Sequence, residues 1–345
     1  MSLLNTRIQN YRVQSPNMSK WTARPSRYGA FDVFASGNNE ADSIISPELL
    51  ETAARAVGQD VQVPVFDTDS VSIGSTRSAT IVDSENTGQL YTVSFTTYAW
   101  GFTIIPALFM NNEHSMQADF NRKFTKYLNK FAEVLDTSCL SALNTSKNQV
   151  FGDDLDYTIT ANTVAATLAQ QDDVIGDLKI MQKANDFYGP YHLVGNPGVE
   201  RRLTKLAEHG LYNDVNRSMQ YMGYDVHFTN GLANAANKIA TGYLVNSGSV
   251  GQLYRHEREA LLGRTTSDGH QWGIGSLPML NIPVDTYFYE GVGDYNAIAG
   301  AASADMTRAY KEHYGFAIEV ANVVAYNDDL AANSNPIIKF DIANA

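Results

Sequence analysis

The sequence predicts an α+β chain organised by one unusually long helix and one long β excursion. Three observations lead there. Met116, Phe120, Phe124, Tyr127, Leu128, Phe131, Leu135 and Cys139 keep an i, i+4, i+7 spacing, which predicts an amphipathic helix over about 114–143. At 1.5 Å per residue such a helix is about 45 Å long, far beyond the usual three turns. Residues 60–105 hold two stretches of strand composition, VQVPVF and LYTVSFTTYAWGFTI, around a segment rich in Ser, Asp, Thr and Gly. Residues 161–246 alternate apolar strand-like runs with helical patterns, as an α/β lobe does.

Taken in order, residues 1–45 are rich in Ser, Asn, Arg and Gly without periodicity, which predicts an extended arm. Ser46-Pro47-Glu48 then opens a helix, with Ser as N-cap, Pro at the first position and an acid in the first turn. It runs through ELLETAARAVG and stops at Gly58. In the β excursion Tyr91, Val93 and Phe95 alternate with Thr92, Ser94 and Thr96, the period of a sheet with one buried face. A two-stranded ribbon is marginal by itself in water, so this one needs a surface to lie on. After the long helix come a helix near 162–185, the strand YHLV, a helix following Asn196-Pro197, and the strands YDVHF and GYLVN. Residues 247–310 are Gly-rich with one strong strand, VDTYFY, and GIGSLP (273–278) reads as loop punctuation. Two further strands, GFAIEVANVVAY and PIIKFDI, close the chain.

A strand–turn–helix pattern in HLVGNPGVERRLTKLAEHG (192–210) has the outline of a phosphate-binding loop. The chemistry is missing. The dipeptide Gly-Lys occurs nowhere in the chain, and Gly195 and Gly198 do not make a dinucleotide fingerprint. Asn196 as N-cap, Pro197 at the first helical position, Leu203 and Leu206 on the apolar stripe and Gly210 as C-cap explain the same residues structurally. Of the seven histidines, His256 opens HEREA, where Ala260 stands in place of a second zinc ligand. Most histidines read as surface or half-buried. Asp153, Asp154 and Asp156 lack the spacing of a calcium loop. Asp172, Asp173 and Asp177 fall on the wet face of a predicted helix. No G-x-S-x-G elbow occurs, and Cys139 lies on the apolar face of the long helix, a packing position. These readings give no catalytic residue, no metal ligand and no cofactor.

Hydrophobic residues make up 44% of the 345 and charged residues only 18%, against about 25% in ordinary soluble domains. Asn, Ser, Thr, Gly and Tyr fill the difference. Depletion of charge with many tyrosines fits a surface that ends in protein–protein contact. The net charge of −12 argues against whole-surface binding to nucleic acid. Residues 1–30 nevertheless carry Arg7, Arg12, Lys20, Arg24 and Arg27 and no acid. One cysteine permits no intrachain disulfide, and no signal segment or apolar run near 18 residues is found. The expectation is a soluble protein of a reducing cytoplasm.

The order of parts resembles the major capsid protein of tailed bacteriophages, the HK97-like fold. The stretches that carry the resemblance are LLETAARAVGQDVQVPVF, YHLVGNPGVERRLTKL, and MGYDVHFTNGL followed by GYLVNSGSVG. The resemblance implies an N-terminal arm (1–45), a short helix (46–59), a long hairpin or E-loop (60–105), a P-domain (106–160 and 247–330) with its spine helix at about 114–143, and an α/β A-domain (161–246 and 331–345). It implies a structural protein, not an enzyme, that assembles with itself into the hexamers and pentamers of an icosahedral virion head. The shell would be built in the host bacterial cytoplasm, around double-stranded DNA held by weak non-specific contacts. Separate scaffolding, portal and decoration proteins would be partners, and no membrane. Some members carry a scaffolding segment of about a hundred residues before the arm; fewer than 50 residues precede the first helix here, so scaffolding is expected from another chain. Some members crosslink an E-loop lysine to a neighbour. Residues 60–122 contain no lysine, so that bond cannot form from this E-loop.

Subunit-interface candidates follow from charge and pattern. The arm offers Arg7, Arg12 and Arg24, and the excursion offers Asp67, Asp69, Asp83 and Glu85 with the apolar Tyr91, Val93, Phe95 and Trp100. An encapsulin-like nanocompartment shell enclosing cargo is the alternative with the same fold. A cytoplasmic α/β enzyme with an unrecognised site is the second. The long helix and the ribbon count against it, because a compact monomer has little use for either.

Overall fold

The computed structural model describes residues 3–14, 28–40, 43–55, 60–65, 89–109, 116–150, 155–185, 187–207, 220–221, 223–257, 270–278, 280–293, 309–325 and 336–344. The long helix, α4 (Met116–Ser146), has 31 residues and a length of about 46 Å. Phe120, Phe124, Leu128, Phe131, Leu135, Cys139 and Leu143 form its buried stripe, as the spacing requires. The stripe lies on a five-stranded antiparallel sheet. In that sheet β10 (Val250–Arg255), β13 (Ala309–Val324), β12 (Pro283–Gly293) and β11 (Gln271–Ser276) follow in order, and β3 (Thr96–Ile104) pairs with β13. Phe102 from β3 and Tyr314, Phe316, Ile318 and Val320 from β13 face the helix and make the largest core with it.

The second sheet has seven strands in the order β4 (Thr158–Thr160), β5 (Thr163–Ala166), β14 (Ile337–Ala343), β9 (Lys238–Asn246), β6 (Tyr191–Gly195), β8 (Tyr224–Phe228) and β7 (Gln220–Tyr221). Helices α5 (Val174–Ala184) and α6 (Pro197–Ala207) accompany it. Val174, Ile175, Leu178, Met181, Val199 and Leu203 bury against Leu193, Leu244 and Phe340. Asn196 caps α6 as its sequence implies: its Oδ1 accepts from the amides of Gly198 at 3.0 Å and Val199 at 3.1 Å. Gly198 is needed for packing, not for phosphate. A Cβ there would meet the Ile239 carbonyl oxygen at 2.0 Å, so only glycine lets α6 start this close to β9.

Three expectations need correction. The arm is not simply extended. α1 (Leu3–Gln14) packs Leu4, Ile8 and Tyr11, an i, i+4, i+7 stripe, against α4, and Tyr11 meets Phe124 edge-on at 5.0 Å. α2 (Gly29–Gly37) buries Phe31, Val33 and Phe34 in the same core as the α4 stripe. Residues 162–173 are not helical. The β-branched Thr163 and Val164 join β14 as strand β5, and α5 begins only at Val174. Asp172 and Asp173 therefore precede the helix, while Asp177 on α5 accepts the Tyr157 hydroxyl at 2.7 Å. The Gly-rich region holds two strands besides VDTYFY, namely β10 and β11, and residues 273–276 of the supposed loop pair with β12. Among the described histidines His227, His270 and His313 are half-buried, in keeping with the expectation for most of them, while His192 and His256 are buried.

α3 (Pro47–Arg55) matches the expected short helix, with its Leu49 amide donating to Ser46 Oγ at 3.2 Å. Gly58 and Gly210 lie outside the described residues, as do Asp153 and Asp154.

Candidate assembly surface

β1 (Val61–Val65) and β2 (Gln89–Val93) form a two-stranded antiparallel ribbon separate from both larger sheets, with Val61 opposite Val93 and Val65 opposite Gln89. The ribbon is shorter than the sequence suggested. The stretch LYTVSFTTYAWGFTI breaks at Ser94-Phe95, and β3 leaves the ribbon to pair with β13 from Glu312–Ile104 to Val320–Thr96. Both halves have strand composition, so composition alone did not reveal the change of partner.

The base of the ribbon is fixed. Val61, Val63 and Val93 pack with Ile45, Ala53, Leu253, Ala321 and Val323 in a third core, with Leu49, Leu50 and Phe95 at its margin. The Arg255 guanidinium lies over the Phe95 ring, 4.2 Å from its centroid. Farther out the side chains turn to solvent: Leu90 is 64% exposed and Tyr91 55%. One chain thus anchors the root of a ribbon and presents apolar side chains beyond it.

Of the eleven interface candidates, Arg24, Asp67, Asp69, Asp83 and Glu85 lie outside the described residues. The others divide. Arg7 faces inward: its Nη1 donates to Gln117 Oε1 at 3.2 Å and its Nη2 lies 3.7 Å from the Glu312 carboxylate. Arg12 is exposed and donates to the Ser276 carbonyl at 3.1 Å. Val93 is 6% exposed and belongs to the ribbon root. Trp100 stacks on Phe316 at 4.1 Å and on Tyr127 at 5.7 Å, within its own subunit. Its remaining surface opens into a groove of about 350 Å³ between β3 and α4, lined by Tyr98, Trp100, Tyr127, Lys130, Phe131 and Val134. Leu90 is the most exposed apolar side chain among those described in the ribbon.

Electrostatically the interior holds two carboxylates near the α2 N-terminus. Asp136 of α4 accepts the Ala30 amide at 3.0 Å, the Phe31 amide at 3.1 Å and the Thr229 hydroxyl. Burial raises its pKa against those hydrogen bonds. Burial and the neighbouring Asp136 push Asp32 up to about 7. Burial also raises the Cys139 thiol far above its ordinary range, and its sulfur accepts from Gln252 Nε2 at 3.1 Å. A thiol held protonated in an apolar stripe is a packing group, as its position on the helix implies. No three His, Cys, Asp or Glu side chains among the described residues are grouped so as to hold a metal ion. No helix among them is long and apolar enough to cross a membrane.

Neither a family model nor a curated protein matches the sequence. Solved structures similar to the chain include one from Mycobacterium phage Che8, with 12% identity and a TM-score of 0.47 over 86% of this chain and 89% of that one. The asymmetric unit of the bacteriophage PhiM1 mature capsid shares 10% identity at a TM-score of 0.49, over 85% of this chain and 84% of that one. The capsid of a native GTA particle shares 13% identity at a TM-score of 0.46, over 87% and 91%.

Proposed function

We propose that the chain is a major capsid protein, the repeating subunit of an icosahedral phage head that encloses double-stranded DNA. The observation that carries this reading is the ribbon. Its root is locked into a core of the subunit, while Leu90 and Tyr91 beyond the root are turned to water. A lone two-stranded ribbon with apolar side chains outward is poorly stable until it lies on something. A second copy of the chain supplies that surface in a closed shell. The order of parts supports the same reading: amino-terminal segment, short helix, ribbon, long helix on an antiparallel sheet, and a mixed sheet that recruits the C-terminal strand. Low charge and many tyrosines suit subunits that spend most of their surface on each other.

In this reading the protein acts by geometry. α4 serves as a stiff strut, the five-stranded sheet as its backing, and the seven-stranded lobe as the part that packs around symmetry axes. Hexamers and pentamers would differ in how these rigid parts tilt, not in their internal cores. Assembly in the host cytoplasm, separate scaffolding or portal chains and non-specific contact with DNA belong to the proposal. Electron microscopy of the purified protein tests it. Closed icosahedral particles are expected, and size-exclusion chromatography should show capsomers or void-volume material. A species of one to four copies that never closes into shells would overturn the reading and favour the enzyme alternative. Closed particles filled with a protein cargo instead of DNA would favour the nanocompartment.

A further inference from the structure

Glu40 stands three residues beyond α2, on the link to α3, yet it reaches the seven-stranded sheet. Its Oε1 lies 2.6 Å from His192 Nε2. Its Oε2 accepts the Ser247 hydroxyl at 2.6 Å and the Gly248 amide, both in the turn between β9 and β10. Behind it, His192 Nδ1 on β6 is 3.2 Å from His227 Nε2 on β8. A single carboxylate is therefore tied to two strands and a turn. We propose that Glu40, His192 and His227 form an acid-released latch that fastens the α2–α3 link to the sheet.

Proton counting shows why acid should open it. His192 Nε2 must carry a proton to donate to Glu40. His192 Nδ1 and His227 Nε2 face each other and share one proton between them. Only His227 Nδ1 can take another without breaking a bond, so the two rings together carry at most one positive charge. A further proton sets N–H against N–H. Protonating Glu40 likewise places a hydroxyl among groups that donate to it.

The surrounding charges agree with this count. Burial first, and His192 second, push the His227 pKa down to about 4, against the opposing pull of Asp225 on its own strand and Glu40 on the link. Burial draws the Glu40 carboxyl upward, but the bonds from Ser247, His192 and Gly248 outweigh it, and its pKa falls below the ordinary value. Both groups are thus harder to protonate when the latch is closed. The closed state is fully favoured above the ordinary histidine value of 6.5 and weakens as pH falls towards about 4. Over that window the opening equilibrium should change on the order of a hundredfold.

What the latch holds matters for the ribbon. The Ile44 amide on the same link donates to the Gly248 carbonyl at 2.9 Å, and Ile45 packs in the core that seats Val61, Val63 and Val93. Opening the latch loosens that seat. The inference concerns one subunit and stands whether or not the chain builds shells.

Hydrogen exchange on the purified full chain tests it, read at the amides of Ile44 and Gly248 from pH 7.5 to 4.5 and corrected for intrinsic rates. Protection there should fall by tenfold or more, while Leu193 and Leu244 in the sheet core keep theirs. His227→Gln should shrink the fall to under threefold above pH 5. If protection at Ile44 and Gly248 does not change with pH, or falls in step with the core, the latch is overturned. Retention of the full fall in H227Q overturns it too. Should that variant misfold, nitrogen chemical shifts of the wild-type rings decide. His227 should titrate near pH 4, at the lower end of the window over which protection is lost, and titration at the ordinary value refutes the proposal.

Discussion

At the scale of single residues, Asp136 does the most for the fold and was the least visible in the sequence. It sits mid-helix, 2% exposed, at a position where the pattern of α4 asks for an apolar residue. Its partners, Ala30, Phe31 and Thr229, are about a hundred residues away in either direction, so no local pattern announces them. Asn196 was legible for the opposite reason: its partners are two and three residues ahead. The Glu40–His192–His227 chain escaped in the same way as Asp136, because three separate elements bring it together. Asp136→Ala would leave two buried amides and a hydroxyl without an acceptor, at about 1–3 kcal/mol for each unsatisfied group. A loss of roughly 3 kcal/mol in urea unfolding at pH 7 is expected, with D136N clearly milder. Asp32 should behave with the opposite sign. Its folded pKa is raised to about 7 from an ordinary 3.8, so its contribution to stability is fully present below pH 3.8 and lost as pH rises through 7. Its place in the first turn of α2 favours the anion and offsets part of that loss. Asp32→Asn should therefore stabilise the subunit by about 1 kcal/mol at pH 8 and by nothing at pH 4. Equal effects at both pH values would refute this account.

Elements with a strong, uninterrupted period were legible, and elements whose identity depends on a distant partner were not. α4 was predicted to within three residues at each end, because eleven of its side chains are buried on one stripe. β10 and β11 were missed because glycines and polar residues dilute their pattern, and pairing with β13 and β12 makes them strands. α1 was missed because Arg7, Gln9, Asn10 and Arg12 mask the three residues it buries. β3 was assigned to the wrong partner, since its Tyr98, Trp100 and Phe102 face suits either a ribbon or a sheet. These locations define what can be removed. β1 and β2 are anchored by Val61, Val63 and Val93, and β3 by β13, and all of these described anchors lie outside residues 68–88. Deletion of 68–88 should give a folded, soluble subunit with a melting temperature within a few degrees of wild type and no shells by electron microscopy. Normal particles from the deletion variant would contradict the assembly role of the ribbon.

For the molecule as a whole, charge and covalent chemistry set the remaining expectations. One buried cysteine and no lysine between residues 60 and 122 leave the proposed shell to non-covalent contacts. Mature particles boiled in SDS should run as one band near 37.9 kDa, and a covalent ladder would contradict this. The charge asymmetry is open to a finer test. Five positive charges lie in residues 1–30, against a net −4 in residues 60–105, where Asp60, Asp67, Asp69, Asp83 and Glu85 face only Arg77. The arm and the ribbon could therefore steer adjacent subunits together. Arg7 is not free for that purpose, being held between Gln117 and Glu312 with 17% of its side chain exposed. Of the arm's described charges, Arg7 holds α1 down, while Arg12 is exposed. Arg7→Gln should lower subunit stability by about 1–2 kcal/mol, since it leaves the Glu312 carboxylate half-paired beside Tyr314. Arg12→Gln with Arg24→Gln should leave the melting temperature unchanged and slow the assembly of empty shells. Exposed pairs are each worth about 0–1 kcal/mol and are screened by salt, so the slowing should be largest at low salt and vanish near 0.5 M. Light scattering during assembly reads this directly. If the double variant assembles at the wild-type rate at every salt and only DNA packaging suffers, the arm faces the lumen and the arm-to-ribbon contact is wrong.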